Sequence, residues 1–504
     1  MIQSAPRRSG VLLPAASLPS RFGIGGIGRE AFAFADRLAE AGQQLWQVLP
    51  LGTPDFVHSP YASPSAFAGN PYLLDMYALA QDGLLSPRDV QNKEGEIPAG
   101  RLDYRRGEAV KGELLRRAYA AFRGNEGEEY EAFCRRERHW LADFALYDAL
   151  KTYFGGRPFW QWEEGARCRR PAALRRYRQM LSEEIGFCTF TQYLFSVQMG
   201  RLREYLSRRG IALMGDIPFY VARDSADVWA HPELFLLHED LTPRLVAGVP
   251  PDYFSAEGQL WGNPVYDWSR AEEDGYRWWI RRLTRCAGLY DVTRLDHFRA
   301  FDSYYTVRAS AKTARVGRWR RGPGEAFFDA VRRKLPGISL VAEDLGQLFP
   351  SVHTLRRSLG MPGMRVLQFA FDGDAANPFL PHNYDADTVA YLGTHDNDTS
   401  VGVWEKMDGG SRAYASSYLG IRQDASPREA VRAMMRAVSA SAADTVIFTV
   451  QDLEGQGSEA RINTPSRVGG CWEYVCGPEV LSEDAFTYLK NITRLYGRWR
   501  DHHE

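Results

Sequence analysis

Arg294, Asp296 and His297 fall within four consecutive positions and carry the densest chemistry in this 504-residue chain. They belong to the stretch Asp291–Arg299, reading Asp-Val-Thr-Arg-Leu-Asp-His-Phe-Arg, which follows the apolar lead-in Gly288-Leu289-Tyr290. An apolar run that turns abruptly polar is how a buried strand ends at a site. Side chains alternate along a strand, so Arg294 and Asp296 point one way. Leu295 and His297 point the other way unless the strand has ended. A fixed Arg beside an Asp favours the ionised carboxylate, and a charged Asp at a strand end can act as a nucleophile. Taken alone, the stretch reads as a structural ion pair at a barrel rim. The rest of the chain reverses that reading.

Similar runs recur. Ile211–Pro218 ends in an acid at Asp216, and Ile338–Ala342 ends at Glu343-Asp344. Met364–Phe371 ends at Asp372, Thr388–Leu392 at Thr394-His395-Asp396-Asn397-Asp398, and Thr445–Val450 at Gln451-Asp452. Leu45–Leu51 is a further short strand. Helical periodicity marks Glu30–Ala41, Asp274–Ala287, Phe327–Lys334 and Arg428–Ser439 between them. Strands alternating with helices predict a parallel sheet. About eight such strands with polar C-terminal ends predict a (β/α)8 barrel, with the active site at that face.

In a closed barrel Asp216, Asp296, Glu343 and the His395-Asp396 pair converge. Clustered carboxylates repel, so several at one site point to chemistry. Retaining cleavage of a glycosidic bond needs one ionised carboxylate as nucleophile and one protonated carboxyl as acid/base, roughly 5–5.5 Å apart. Asp296, beside Arg294, is the expected ionised member. Glu343, its affinity for protons raised by neighbouring acids and by burial, is the expected proton carrier. Asp344 faces the other side and is the lower-ranked alternative. His395 and Asp396 can grip sugar hydroxyls and steady an oxocarbenium-like transition state.

The expected organisation is a single catalytic barrel over 1–504 with large, mainly helical insertions. One is a helical subdomain over 86–210, where apolar residues recur at helical spacing in Ala109–Phe122, Tyr130–Tyr153 and Phe190–Leu206. Another is a segment over 222–287, including the long connection Pro232–Trp268 with its aromatic loop 248–268. A loop that long is usually functional. Ser59–Tyr72 mixes aromatic and small polar residues, as a ligand-binding rim does, and Pro71–Leu74 could begin a strand. The glycines of Gly23–Gly28 read as a tight turn into a helix rather than a phosphate loop. A net charge of -1 gives no general attraction to nucleic acid or anionic membrane. No run is long enough for a membrane span. Six scattered cysteines read as reduced thiols of a cytoplasmic protein, neither a metal site nor a disulfide framework. Aromatics make up 13% of the chain; they hint weakly at carbohydrate, since aromatics also fill cores.

The sequence resembles the 4-α-glucanotransferases (amylomaltases, or disproportionating enzymes) of glycoside hydrolase family 77. The motifs span nearly the whole chain. They include Arg8–Leu13, Ser17–Ser20, Gly23–Gly25, Trp46–Gly52, Ser59–Tyr61, the Gly248–Asn263 loop, Arg294–Arg299, Ala342–Gly346 and Thr394–Thr399. The resemblance implies that Asp296 is the nucleophile, Glu343 the acid/base and Asp396 the transition-state stabiliser. It implies that Tyr61, Asp216, Arg294 and His395 hold the donor sugar, and that Asp252, Phe254 and Trp261 cap the site and receive the acceptor. His297 and Asn463 join the expected substrate contacts. The chain departs from the family pattern at Pro465-Ser466-Arg467 and Gly470-Cys471-Trp472, where Pro-Gly-Thr and Gly-Asn-Trp are usual. The implied partners are α-1,4-glucans, with no cofactor, nucleic acid or membrane, and a monomer or weak homo-oligomer. Three other readings compete: an α-1,4-glucan hydrolase of the α-amylase kind, a metal-dependent hydrolase using His297, His395 and Asp396, and a non-catalytic glucan-binding protein.

Overall fold

The structure, a computed structural model, describes residues 7–97, 100–251, 255–346, 348–465, 467 and 469–500. Eight parallel strands form one sheet: β1 (Arg8–Leu12), β2 (Leu45–Gln47), β3 (Ala212–Ile217), β4 (Val292–Leu295), β5 (Leu340–Ala342), β6 (Gly363–Val366), β7 (Thr388–Tyr391) and β8 (Thr445–Thr449). Their order around the sheet is β6-β7-β8-β1-β2-β3-β4-β5, so each strand neighbours the next in sequence and β8 pairs with β1. The ends meet where the Ala342 N–H donates to the Pro362 carbonyl at 2.9 Å. Two residues further along the same seam, the Asp344 carboxylate accepts from the Met364 N–H at 2.7 Å. A side chain thus continues the ladder across the seam of a (β/α)8 barrel. Gly363 makes room for it, since a Cβ there would lie 2.6 Å from an Asp344 carboxylate oxygen.

The strands are apolar because both their faces are covered. All five residues of β8, Thr-Val-Ile-Phe-Thr, are buried. The helices bury one stripe and start at coded caps. Pro427–Ala440 opens with a Ser426/Glu429 capping box and Pro427 in its first turn. The glycine run 23–28 serves packing: a Cβ on Gly26 would lie 2.1 Å from the Leu73 carbonyl. The helix Arg29–Glu40 follows directly.

Several elements differ from expectation. Pro71–Leu73 is a 3-10 turn, not a strand, because the Asn70 side chain accepts from the Tyr72 N–H and Pro71 fixes the first turn. The lead-in to β4 is helical to Leu289, and only Val292–Leu295 is strand. β2 and β6 are shorter than their apolar runs; β6 passes into a 3-10 turn at Leu367–Phe369. The connection 232–268 contains two strands, Leu245–Val249 and Gln259–Pro264. With Ser303–Arg308 and Gly317–Arg321 they form a second, antiparallel sheet. The long connection therefore has its own ladder, which periodicity missed because the strand Gln259–Pro264 alternates poorly. Between β2 and β3 the chain runs through the helices Tyr104–Phe122, Glu128–Tyr153 and Ser182–Arg208, each longer than its clearest apolar stretch.

Candidate active site

The strand ends converge on Arg294, the second-last residue of β4. Its side chain is 4% exposed, and its Nη1 lies 2.6 Å from Asp216 Oδ2 and 3.1 Å from Asp296 Oδ1. Register explains the first contact, because Asp216 on β3 is paired with Arg294 on β4. Alternation explains the second. Tyr61, from the loop after β2, donates its hydroxyl to Asp216 Oδ2 at 2.7 Å. The same hydroxyl oxygen is 2.8 Å from His395 Nε2. With the Tyr61 proton committed to Asp216, His395 must carry its proton on Nε2 and donate to Tyr61. Burial lowers the His395 basicity below the usual histidine range despite Asp396, so the ring is neutral. Burial and Asp216 hold the Tyr61 hydroxyl well above its ordinary range, keeping its proton.

Asp396, 45% exposed at the side chain, is braced from behind. Asn463 Nδ2 donates to its Oδ1 at 2.6 Å. Arg461 donates to the Asp396 carbonyl at 2.8 Å and to the Asn463 carbonyl at 2.6 Å. Asn463, expected to meet substrate, also holds Asp396 through one amide N–H. Arg461 was not anticipated, for it lies on an irregular loop after β8 where no strand-end signal exists. Trp472 is a second unanticipated neighbour, its ring centroid 5.7 Å from Tyr61 and 6.1 Å from His395.

Glu343 follows β5 and is gripped by backbone. The His297 N–H donates to its Oε2 at 2.8 Å and the Leu345 N–H to its Oε1 at 2.9 Å. His297 can do this because β4 has ended: its φ of 51° is left-handed and breaks the alternation. The expectation that His297 points away from Asp296 as a strand residue therefore does not apply. Its ring meets Trp261 edge-on at 4.9 Å. Burial, with Arg299 adding, holds the imidazole down to about 3, so it is neutral. Trp261, 39% exposed, thus overhangs the Asp296–His297 turn from the strand Gln259–Pro264. Asp252 and Phe254 lie outside the described residues. Asp344 does face the other side, where it meets Arg356 at 3.2 Å and seals the barrel seam.

Arg294 was expected to favour the ionised form of Asp296, and it pulls in that direction against burial. Its closest partner is Asp216, so its charge is already shared when it reaches Asp296. Burial therefore outweighs Arg294, and Asp216, Glu343 and Asp396 add repulsion; the Asp296 carboxyl sits well above the usual range. Burial raises Glu343 too, against Arg294 and the two backbone donors. Glu343 is itself one of the charges that push the Asp296 carboxyl up. Among the described residues, no group of three or more His, Cys, Asp or Glu side chains could hold a metal ion.

A parallel barrel with two carboxyls at the ends of adjacent strands, a third acid nearby and neutral Tyr and His donors between them is the site of a glycosidic-bond enzyme. Comparison with known proteins narrows the class. The chain belongs to the 4-alpha-glucanotransferase family, glycoside hydrolase family 77, which residues 13–477 match. It is 44% identical over 504 residues to a 4-alpha-glucanotransferase of Thermus thermophilus, covering 98% of this chain and 99% of that one. It is 43% identical to one from Synechocystis, covering 98% of each chain. The solved amylomaltase from Streptococcus agalactiae in complex with acarbose superposes with a TM-score of 0.94 at 38% identity, covering 98% of this chain and 100% of that one.

Proposed function

We propose that this 4-α-glucanotransferase moves a segment of an α-1,4-glucan to the 4-hydroxyl of another glucan or glucose by double displacement, through a covalent glycosyl-Asp296 intermediate. The observation that carries this is the pairing of Asp296 and Glu343 at the ends of adjacent strands, tied together by the His297 N–H on Glu343. In the first step the Asp296 carboxylate attacks the anomeric carbon and Glu343 protonates the departing oxygen, breaking the glycosidic bond. Positive charge grows at the anomeric carbon beside Asp296. This favours the charged form of Asp296, while burial keeps the proton on Glu343, where the leaving oxygen needs it. In the second step Glu343 takes the proton of the acceptor 4-hydroxyl, whose oxygen displaces Asp296. Two inversions retain the α configuration.

Asp396, braced by Asn463 and Arg461, faces the developing charge from the opposite arc. Tyr61, Asp216, Arg294 and His395 form the preorganised donor-side wall. Trp261, on the loop segment 248–268, overhangs the site and favours a sugar acceptor over water. The organisation that supports this reading is one catalytic barrel over 1–504, scaffolded by the helices of 86–210.

Incubation with maltotriose tests the proposal. Glucose appearing together with maltopentaose and longer chains is the expected result. Glucose and maltose alone would mean that water is the acceptor and that the enzyme works as a hydrolase.

A further inference from the structure

Trp319 and Phe349 are 38% and 41% exposed, and their ring centroids lie 5.1 Å apart at 77°. They come from different parts of the chain. Trp319 lies on the strand Gly317–Arg321, opposite Tyr305, whose ring is 5.3 Å away. Phe349 caps the helix Pro350–Ser358 on the loop that leaves β5 after Glu343. The Arg299 guanidinium, three residues beyond Asp296, stacks over both rings, at 4.3 Å from Trp319 and 5.5 Å from Phe349. Ser351 donates to Asp302 at 2.9 Å, and the Gly322 N–H donates to the Asp302 carbonyl at 2.7 Å. Hairpin, turn and loop are therefore pinned to one another, and the rings form a preset surface.

Position around the barrel decides what this surface can serve. Of the groups proposed to grip the donor, Tyr61, Asp216 and His395 come from β2, β3 and β7; Arg294 on β4 reaches back to Asp216, and Asp396 is braced from the loop after β8. The aromatic pair lies on the β4–β5 arc, the side from which Glu343 meets the leaving or incoming oxygen. The Glu343 carboxylate is close enough to Arg299 to support its charge against burial. Under the mechanism proposed above the acceptor 4-hydroxyl meets Glu343, so further glucose units of an acceptor would lie on the Glu343 side of the site. Aromatic faces suit the C–H faces of glucose units, and fixed rings lose little entropy on binding.

We propose that Trp319 and Phe349 form an outer acceptor-side binding platform for α-1,4-linked glucose units beyond the first, steadied by Arg299. This rests on the transferase reading above. A single glucose acceptor occupies only the position next to Glu343 and does not reach the platform; longer acceptors do.

The test measures transfer from a maltoheptaose donor to labelled glucose, maltose, maltotriose and maltotetraose. The variants are Trp319→Ala, Phe349→Ala and the conservative Trp319→Tyr. The expected result is an acceptor KM raised about three- to tenfold for the longer acceptors in both alanine variants. The glucose KM and the kcat stay unchanged, and Trp319→Tyr retains most of the length preference. An equal loss for every acceptor, or unchanged KM values throughout, would overturn the platform. Phe349→Ala alters an exposed loop residue, so it decides the matter if Trp319→Ala fails to fold. Wild-type enzyme that releases only free sugar from maltoheptaose would overturn the transferase reading itself, which is a distinct outcome.

Discussion

Asp296 and Glu343 have opposite surroundings at the level of single side chains. Asp296 leans on an arginine already claimed by Asp216, whereas Glu343 rests on two backbone N–H groups. Both carboxyls are nevertheless held above the usual range by burial. Between about pH 4 and their folded values, the folded protein therefore binds more protons than the unfolded chain, and stability falls as pH rises through that window. Asp296→Asn and Glu343→Gln should each lower kcat at least about a thousandfold. Each should also stabilise the fold at pH 7, because it removes a buried carboxyl whose charge opposes folding. Thermal unfolding should show the gain at pH 7 and its disappearance near pH 3.5, where the unfolded carboxyls are largely protonated too. Near-normal activity in either variant would refute the role given to that residue. The alternation of Arg294 and Asp296 was legible in the sequence. The sharing of Arg294 with Asp216 was not, because it depends on the register between β3 and β4.

At the scale of elements, two short segments carry unequal kinds of importance. The strand Gln259–Pro264 brings Trp261 over the His297 ring. Trp261→Ala should leave the glycosyl-enzyme open to water and lower the ratio of transfer to hydrolysis severalfold, measured as free glucose against chain extension; an unchanged ratio would remove Trp261 from acceptor selection. The β5–β6 seam depends instead on Asp344, which bonds the Met364 N–H and meets Arg356, itself 2% exposed. Asp344→Ala would leave Arg356 with Asp387, half exposed at 2.9 Å, and would strand the Met364 N–H. It should cost about 1–3 kcal/mol in a denaturant titration, with KM unchanged in the fraction that remains folded. Helices and most strands were legible from periodicity and caps. The antiparallel sheet of 245–249, 259–264, 303–308 and 317–321 was not, because its pairing joins segments on either side of the catalytic turn. Loop composition alone does not encode such pairing.

For the molecule as a whole, the barrel's two faces divide labour. The groups proposed to act in catalysis occupy the C-terminal face, and the opposite face is closed by Arg498, which is fully buried. Its guanidinium donates to the carbonyls of Ser439, Ala443, Asp444 and Arg8, tying the end of the chain to the start of β1 and the turn before β8. Arg498→Met should strand these carbonyls and cost at least about 3 kcal/mol, read by thermal unfolding. Disproportionation at 25 °C by the folded enzyme should be unaffected, since the site lies at the other end of the strands. The aromatic content also acts at this scale. Many of the rings pack inside, as in the cluster of Phe219, Trp279, Phe301 and Phe327 that anchors the loops after β3 and β4. A few, such as Trp261, Trp319 and Phe349, stay partly exposed.

The parallel barrel and the acids at its strand ends were legible in the chain, because strand and helix periods are local and a barrel brings every strand end to one face. The spacing of Asp296, Glu343 and Asp396 along the chain mattered less than their common place at the ends of strands. Only the tertiary structure decided which partners each acid has. The Arg294–Asp216 contact, the Asn463 and Arg461 brace on Asp396, the His297 N–H on Glu343 and the seam bond of Asp344 all join residues from separate strand ends and loops. Those contacts set charge and orientation, and a linear pattern carries no information about which loop leans on which strand.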